Sequence, residues 1–392
     1  MKKYLTLFIL TYLLCTINSK ALDQNTNTIL KDNQKIIRIG VLIPLSGEFK
    51  EVGKSILNAI KLAIYDLGDE NIIIYPRDTQ GNAEGAFTAA KELENIGIKV
   101  VLGPIFHDSL GKLEEIEEII FFSLTNKTHW LPKNSIALGI NVNSQLYSIQ
   151  KHLDKNKVTK TILLIPEAEY INQIKNIVES KKLKFYKILS YNSDPEKITA
   201  EIEKITSYNQ RKINLSARKK KLQDSELEKD KKELEYLETK YTLGKVDFDS
   251  VIIADFGERL KSVLASFMFS DVSSQDVIFI TLNQWFDITL FDEASMDNLY
   301  FPSIDYNNFK KFSEKYFNKF NEIAHEISIL AYDGIGLISY VYNYDSSEID
   351  LRRLYAKSGF KGLHGKFKIQ NNLSHQDLNI YKISKKNFLK VN

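Results

Sequence analysis

The chain has 392 residues, too many for one core; at roughly 150 residues per domain it should form two to three domains. With 43% hydrophobic and 26% charged residues it is neither disordered, collagen-like nor a disulfide-stapled miniprotein. The net charge of +3 is matched by Lys2, Lys3 and Lys20 in a leader without acids, so the remainder is neutral, which argues against a dedicated nucleic-acid binder.

Residues 1–21 read as a secretory signal peptide. Lys2 and Lys3 form a positive start, Tyr4 to Ile17 is uncharged and apolar, and Ser19-Lys20-Ala21 offers small residues three and one before a cut. The apolar run is short of the ~20 residues of a membrane span, although an uncleaved anchor is the alternative. A periplasmic location is expected. Cys15 is the single cysteine and lies in this leader; Leu14 stands where a lipoprotein signal wants a small residue, which disfavours a lipid anchor. Residues 22–35 are polar and read as a flexible lead.

Next come β-branched strands alternating with amphipathic helices. Ile36 to Leu45 is a strand closed by Pro44, Ser46 and Gly47, followed by a helix with apolar positions from Ile56 to Leu67. Ile72–Tyr75 is a second strand, Ala83 to Ile96 a second helix and Val100–Leu102 a third strand ended by Gly103-Pro104. Further strands are expected at Ile119–Phe122, Ile162–Ile165, Phe185–Leu189, Val251–Ala254 and Val277–Thr281, with Glu114, Glu115, Glu117 and Glu118 on the solvated face of a helix. This alternation predicts an α/β fold with parallel sheets, whose ligands lie beyond the carboxyl ends of the strands.

Arg211 to Lys240 breaks the pattern. It reads as one long charged helix with a thin apolar seam of Leu227, Leu234, Leu237 and Tyr241, braced by pairs such as Glu228–Lys232. Six bases without an acid between Arg211 and Lys221 make Arg211, Lys212, Arg218, Lys219, Lys220 and Lys221 candidates for docking a partner; a solvated helix laid over a lobe is the competing reading.

No catalytic constellation is expected. His325-Glu326 begins like a zinc-protease helix, but Ile329 and Leu330 stand where a second histidine is needed. Gly334-Ile335-Gly336 lies inside an apolar helix and reads as close packing, not a dinucleotide loop. His107-Asp108-Ser109 holds the letters of a triad, but adjacent residues do not face one another as a relay. The chain therefore predicts no enzyme, no metal site and no cofactor.

The segments IGVLIPLSGEFKEVGKSILNAIKLAI and DTQGNAEGAFTAAKELENIGIKVVLGP resemble type I periplasmic-binding-fold proteins, the group of the leucine/isoleucine/valine-binding proteins. AYDGIGLI and FKGLHGKFKI, with Gly362, Gly365 and Phe367, extend that likeness to the end of the chain. FFSLTNKTHW, then IALGINVNSQ, with Ser123, Asn126, Gly139 and Gln145 in place, is similar to the proteobacterial penicillin-binding protein activator family, from which Asn141 and Asn143 depart. So is the charged insertion followed by TLGKVDFDSVIIADFGERLKSV. Amino-acid receptors of the wider group carry a serine/threonine pair after the third strand to hold a carboxylate; here Leu110 follows Ser109.

The resemblance implies two doubly wound parallel-sheet lobes joined by a three-crossing hinge. Lobe one is expected at 36–143 and 283–344, lobe two at 144–282 and 345–392, with a charged helical insertion at 206–243 in lobe two. The cleft between them would be lined by Ser46, His107, Ser109, Ser123, Thr125, Tyr170, Phe256 and Trp285. The competing readings are that Ser46 caps the first helix and Trp285 packs at the hinge. Two functions follow from the resemblance: a regulator that contacts a peptidoglycan synthase in the envelope, or a receptor that closes on a small-molecule ligand, a leucine-like or branched-chain amino acid, and delivers it to an ABC transporter permease.

Overall fold

The computed structural model describes residues 36–391 apart from 168–170, 182, 193, 344 and 347. The leader, the polar lead, Cys15 and the cleft candidate Tyr170 lie outside the described residues.

Two sheets organise the chain. Across the first, the strands run Phe360–Lys361, Lys366–Gln370, Leu373–Asp377, Ser135–Ala137, Ile120–Ser123, Val100–Leu102, Ile37–Ile43 and Ile72–Asp78. Across the second they run Asn387–Lys390, Asn379–Ser384, Tyr300–Ser303, Ile278–Thr281, Ser250–Ile253, Thr161–Pro166 and Lys187–Tyr191. The βα repeats pair in parallel, and the C-terminal strands Lys366–Gln370, Asn379–Ser384 and Asn387–Lys390 add antiparallel pairings toward the edges. This is the doubly wound α/β architecture expected from the sequence.

The strand Ile37–Ile43 is central because both its faces are covered. Ile37, Ile39, Val41, Leu42 and Ile43 are all buried, each burial being worth about 1.5–3 kcal/mol. Its outgoing turn is close-packed: a Cβ on Gly53 in the following helix, Lys50–Leu67, would overlap the Pro44 carbonyl. Gly334 likewise lets the helix Ser328–Val341 approach Leu102 and Leu138, the close packing expected there; a Cβ on Gly336 would meet nothing.

Three expectations need correction. The lobe boundaries are misplaced after Asn283. Tyr300–Ser303 pairs with Ile278–Thr281 and so belongs to the second sheet, whereas Phe360–Asp377 joins the first through Leu373 opposite Ala137. The chain therefore crosses near 138–142, 304–305 and 378. The acidic stretch around Glu115 is a short 3-10 turn, Leu113–Glu115, not a helix: Leu113, Ile116 and Ile119 recur every third residue and all point inward, leaving the four glutamates exposed.

The insertion is a hairpin of two helices, Tyr208–Gln223 and Glu228–Glu238, not one long helix. Its apolar contact is Leu215, Leu222 and Leu237, with Leu234 and Leu243 packed on them; Leu227 and Tyr241 of the expected seam are exposed. Glu228 pairs with Lys231 instead of Lys232. The break comes at Asp224 to Leu227, where the Ser225 hydroxyl donates to Asp230 and accepts the Leu227 N–H.

Candidate functional site

The carboxyl ends of both sheets face each other across the hinge. On the first-lobe side, Asp78 closes the turn after Ile37–Ile43. It accepts the Leu45 N–H at 2.8 Å, the Ser46 hydroxyl at 2.5 Å and the Gln80 N–H at 2.8 Å. Burial pushes the Asp78 carboxyl up, but these hydrogen bonds outweigh it and hold the group below its ordinary range. Ser46 is thereby spent on Asp78 and does not cap the helix Lys50–Leu67.

The loop after Val100–Leu102 carries His107, whose ring lies 4.2 Å from that of His129. Burial, then the neighbouring His129 and Lys127, keep the His107 imidazole below its ordinary value. Ser109 is buried, and its hydroxyl has no partner among the described residues. Ser123 donates to the Pro104 carbonyl at 2.8 Å and accepts the Thr125 N–H, and Thr125 accepts the Lys127 N–H. Both are buried and shape the backbone of the loop that ends at Asn126–Thr128.

Between the lobes lies a cavity of about 150 Å³. Asn126, Lys127 and Thr128 form one wall, and Gln173, Ile174, Ile177, Phe256 and Leu282 the other, with Val142 at the hinge. Its size falls below the ~300–1,000 Å³ of drug-sized ligand sites. Of the expected cleft residues among those described, the structure brings Phe256 alone to this cavity. Trp285 packs partly buried on the core, its backbone N–H donating to the Asn283 side-chain oxygen. Next to Phe256, Asp255 is fully buried and accepts the Tyr191 hydroxyl, the Arg259 guanidinium and the Phe256 N–H.

The three-crossing hinge was expected, but the buried amide side chains that bond its crossings together are the largest feature that sequence reasoning missed. Asn141 caps the helix Val142–Lys155 through the Ser144 N–H and donates to the Ser374 carbonyl at 2.6 Å. Gln376 donates to the Leu138 and Gly139 carbonyls at 3.0 Å each. Gln145 donates to the Ile140 carbonyl and accepts the Asn283 N–H, and the Asn283 side chain accepts the Ser303 hydroxyl. All are buried, so the three crossings are hydrogen-bonded into one unit. The only sequence signal was Gln145 in the segment after Gly139.

The docking candidates divide. Arg211 is a correction: it is buried at the base of the hairpin, donating to the Thr206, Ser270 and Asp271 carbonyls and to the Thr242 hydroxyl. A guanidinium in that position finds four acceptors and little solvent. Arg218 forms two bonds of 2.7 Å with Glu233, and Lys219 pairs with Glu238 at 3.1 Å, so the second helix supplies acids that oppose the first. Lys212, Lys220 and Lys221 are exposed with no acidic partner among the described residues, Lys212 lying over the Tyr208 ring. Exposed Ile213, Tyr236 and Tyr241 accompany them.

Residues 36–147 match the family model described as periplasmic binding protein. Over 213 residues the chain is 24% identical to an uncharacterized protein of Rickettsia prowazekii (strain Madrid E); the match covers 52% of this chain and 56% of that protein, so the chain spans about half of its curated relative. Among solved structures, the C-domain of LpoA from Haemophilus influenzae, a regulator of PBP1A, is similar with a TM-score of 0.61 at 14% identity, covering 91% of this chain and 100% of that one. The leucine-binding protein LivK from Thermotoga maritima gives 0.57 at 14%, covering 91% and 98%. LivJ from Streptococcus pneumoniae, in complex with isoleucine, gives 0.55 at 14%, covering 91% and 100%. At such identities the likeness is one of fold: the two-lobed fold of type I periplasmic binding proteins.

Proposed function

We propose that this chain, built on the fold of type I periplasmic binding proteins, is an exported, non-catalytic regulator of peptidoglycan synthesis that acts by protein–protein contact. The observation that carries this reading is the helical hairpin 208–238. Its base is locked by Arg211 and its inner face by three buried leucines, while its outer surface presents Lys212, Lys220 and Lys221 beside Ile213 and Tyr236. Exposed apolar groups flanked by unpaired cations suit a partner with an acidic rim around an apolar centre. The cleft supports the same reading, because the Ser46, Ser123 and Thr125 hydroxyls are engaged within the protein and the cavity is small. The LpoA domain, a regulator of PBP1A, is the corresponding relative.

The second reading, a receptor for a transporter permease, is favoured by the apolar cavity at Phe256, Leu282 and Ile174 and by the likeness to isoleucine-bound LivJ. Binding titrations separate the two. The periplasmic part of a cognate peptidoglycan synthase should bind the protein, more weakly as salt rises, and lose affinity when 214–238 is replaced by a short glycine linker that retains Arg211 and Thr242. Calorimetry against the twenty amino acids should show nothing tighter than about millimolar. A micromolar amino-acid isotherm, with synthase binding absent, would instead establish the receptor.

A further inference from the structure

A concavity of about 540 Å³ lies beside the hinge and shares no lining residue with the interlobe cavity. Its walls come from both lobes. The helix Val142–Lys155 supplies Tyr147 and Lys151, four residues apart and so on one face, and Lys181 follows the helix Ile171–Ser180. The first sheet supplies the strands Lys366–Gln370 and Leu373–Asp377. Alternation puts Phe367 and Ile369 in the core and turns Lys366 and Lys368 outward. The register then sets Lys366 opposite Asp377 and Lys368 opposite His375.

Four ammonium groups thus line one concavity against a single carboxylate, that of Asp377, which lies 3.8 Å from Lys151. Lys181, Lys366 and Lys368 have no acidic partner among the described residues. Their charge is felt inside the pocket: burial first, and then Lys181 and Lys368, hold the His375 imidazole below its ordinary value, with the Gln370 backbone opposing. Like charges gathered in a concave wall repel one another and focus a positive potential, which a counter-anion relieves. The Tyr147 and Phe360 rings add apolar surface for the body of an organic ligand.

We propose that this concavity between Tyr147, Lys151, Lys181, Lys366, Lys368 and His375 binds a small molecule bearing two or more acidic groups, phosphoryl or carboxylate. Because Lys151 and Lys181 stand on one lobe and Lys366 and Lys368 on the other, the ligand bridges the third crossing. The site is independent of the protein-contact reading above, and its test involves no partner.

Inorganic pyrophosphate and citrate are the two probes, titrated calorimetrically into the protein at low ionic strength. Saturable one-site binding is expected, about tenfold or more weaker in K366Q/K368Q and several-fold tighter in D377N, which removes the opposing carboxylate. Tighter binding of pyrophosphate than of citrate assigns phosphoryl chemistry to the site, and the reverse order assigns carboxylate. Nuclear magnetic resonance should show the His375 pKa rising as the probe saturates. K151Q/K181Q provides the same test from the other wall should the first variant not fold. Absence of saturable binding by either probe below about 10 mM, or affinities unchanged in both lysine variants, would overturn the proposal.

Discussion

The Asp333 carboxylate fills the space that a side chain at Gly362 would occupy. Its two oxygens accept the Leu363 and His364 N–H groups at 2.8 Å each, and the His364 imidazole closes on the same carboxylate. Gly362 and Gly365 complete the turn by bonding to each other, Gly365 at φ +130. Two motifs separated by some thirty residues are therefore one device: the helix Ser328–Val341 presents an aspartate, and the glycine loop wraps around it.

That device predicts non-additivity. Gly362→Ala should cost about 1–3 kcal/mol by overpacking against Asp333. Asp333→Ala should cost about 2–4 kcal/mol, since the buried His364 N–H, the half-buried Leu363 N–H and the His364 imidazole lose their acceptor. Asp333→Ala also removes the clash, so adding Gly362→Ala should then cost little. A double-mutant cycle by urea denaturation measures the coupling; strict additivity would contradict the geometry.

Arg211 gives the second prediction. Its guanidinium reaches Thr206, Thr242, Ser270 and Asp271 from within a single buried site. Arg211→Ala should lower stability by about 2–4 kcal/mol, because several carbonyls lose their donor at once. Arg211→Lys should recover only part of it, as an ammonium lacks the planar fork of donors. Lys220→Ala, on the exposed surface, should leave the melting temperature unchanged.

How far the sequence could be read follows from these cases. The strands around Val41, Leu102, Leu163 and Ile252 were legible because β-branched runs between helices have few other uses in a chain of this composition. Ser135–Ala137 was not, since Ile136 is its one β-branched apolar residue and no such run marks it. The membership of Tyr300–Ser303 depends on which sheet edge is open, a tertiary fact. Arg211 looked like a surface charge because its acceptors lie up to sixty residues away. At the cleft, residue type suggested hydroxyls for a ligand, whereas Ser123 and Thr125 bond to nearby backbone. Gln145 and Gln376 gave no sign of burial, because glutamine is ordinarily exposed.

Acid should destabilise the protein through its histidines. His107, His152 and His375 are each held below 6.5, by burial first and then by nearby cations: His129 and Lys127 for His107, Lys155 for His152, Lys181 and Lys368 for His375. Asp108 and the Gln370 backbone oppose this only in part. The unfolded chain therefore takes up these protons first. Stability should be full above about pH 6.5 and fall as the pH drops from there through the depressed folded values. Urea midpoints at pH 7.5 and 5.5 should differ in that direction, and His107→Gln and His152→Gln should each flatten the slope. A midpoint that rises on acidification would contradict this assignment.

The hinge offers the last test, at Gln376. Its side-chain amide donates to the Leu138 and Gly139 carbonyls, and its own N–H donates to the Ser144 hydroxyl, so one residue ties the third crossing to the first. Gln376→Leu keeps a similar volume and the backbone bond, but leaves two buried carbonyls unpaired, at about 1–3 kcal/mol. Asn141 continues to hold Ser374 in that variant, so the fold should persist while the crossing loosens. Hydrogen exchange should quicken at amides 374–378 and 138–145 and stay unchanged in the strand Ile37–Ile43, whose partners lie outside the hinge. Uniformly faster exchange across both lobes would mean that Gln376 supports global stability alone. Unchanged exchange at 374–378 would mean that these bonds do not hold the crossings together.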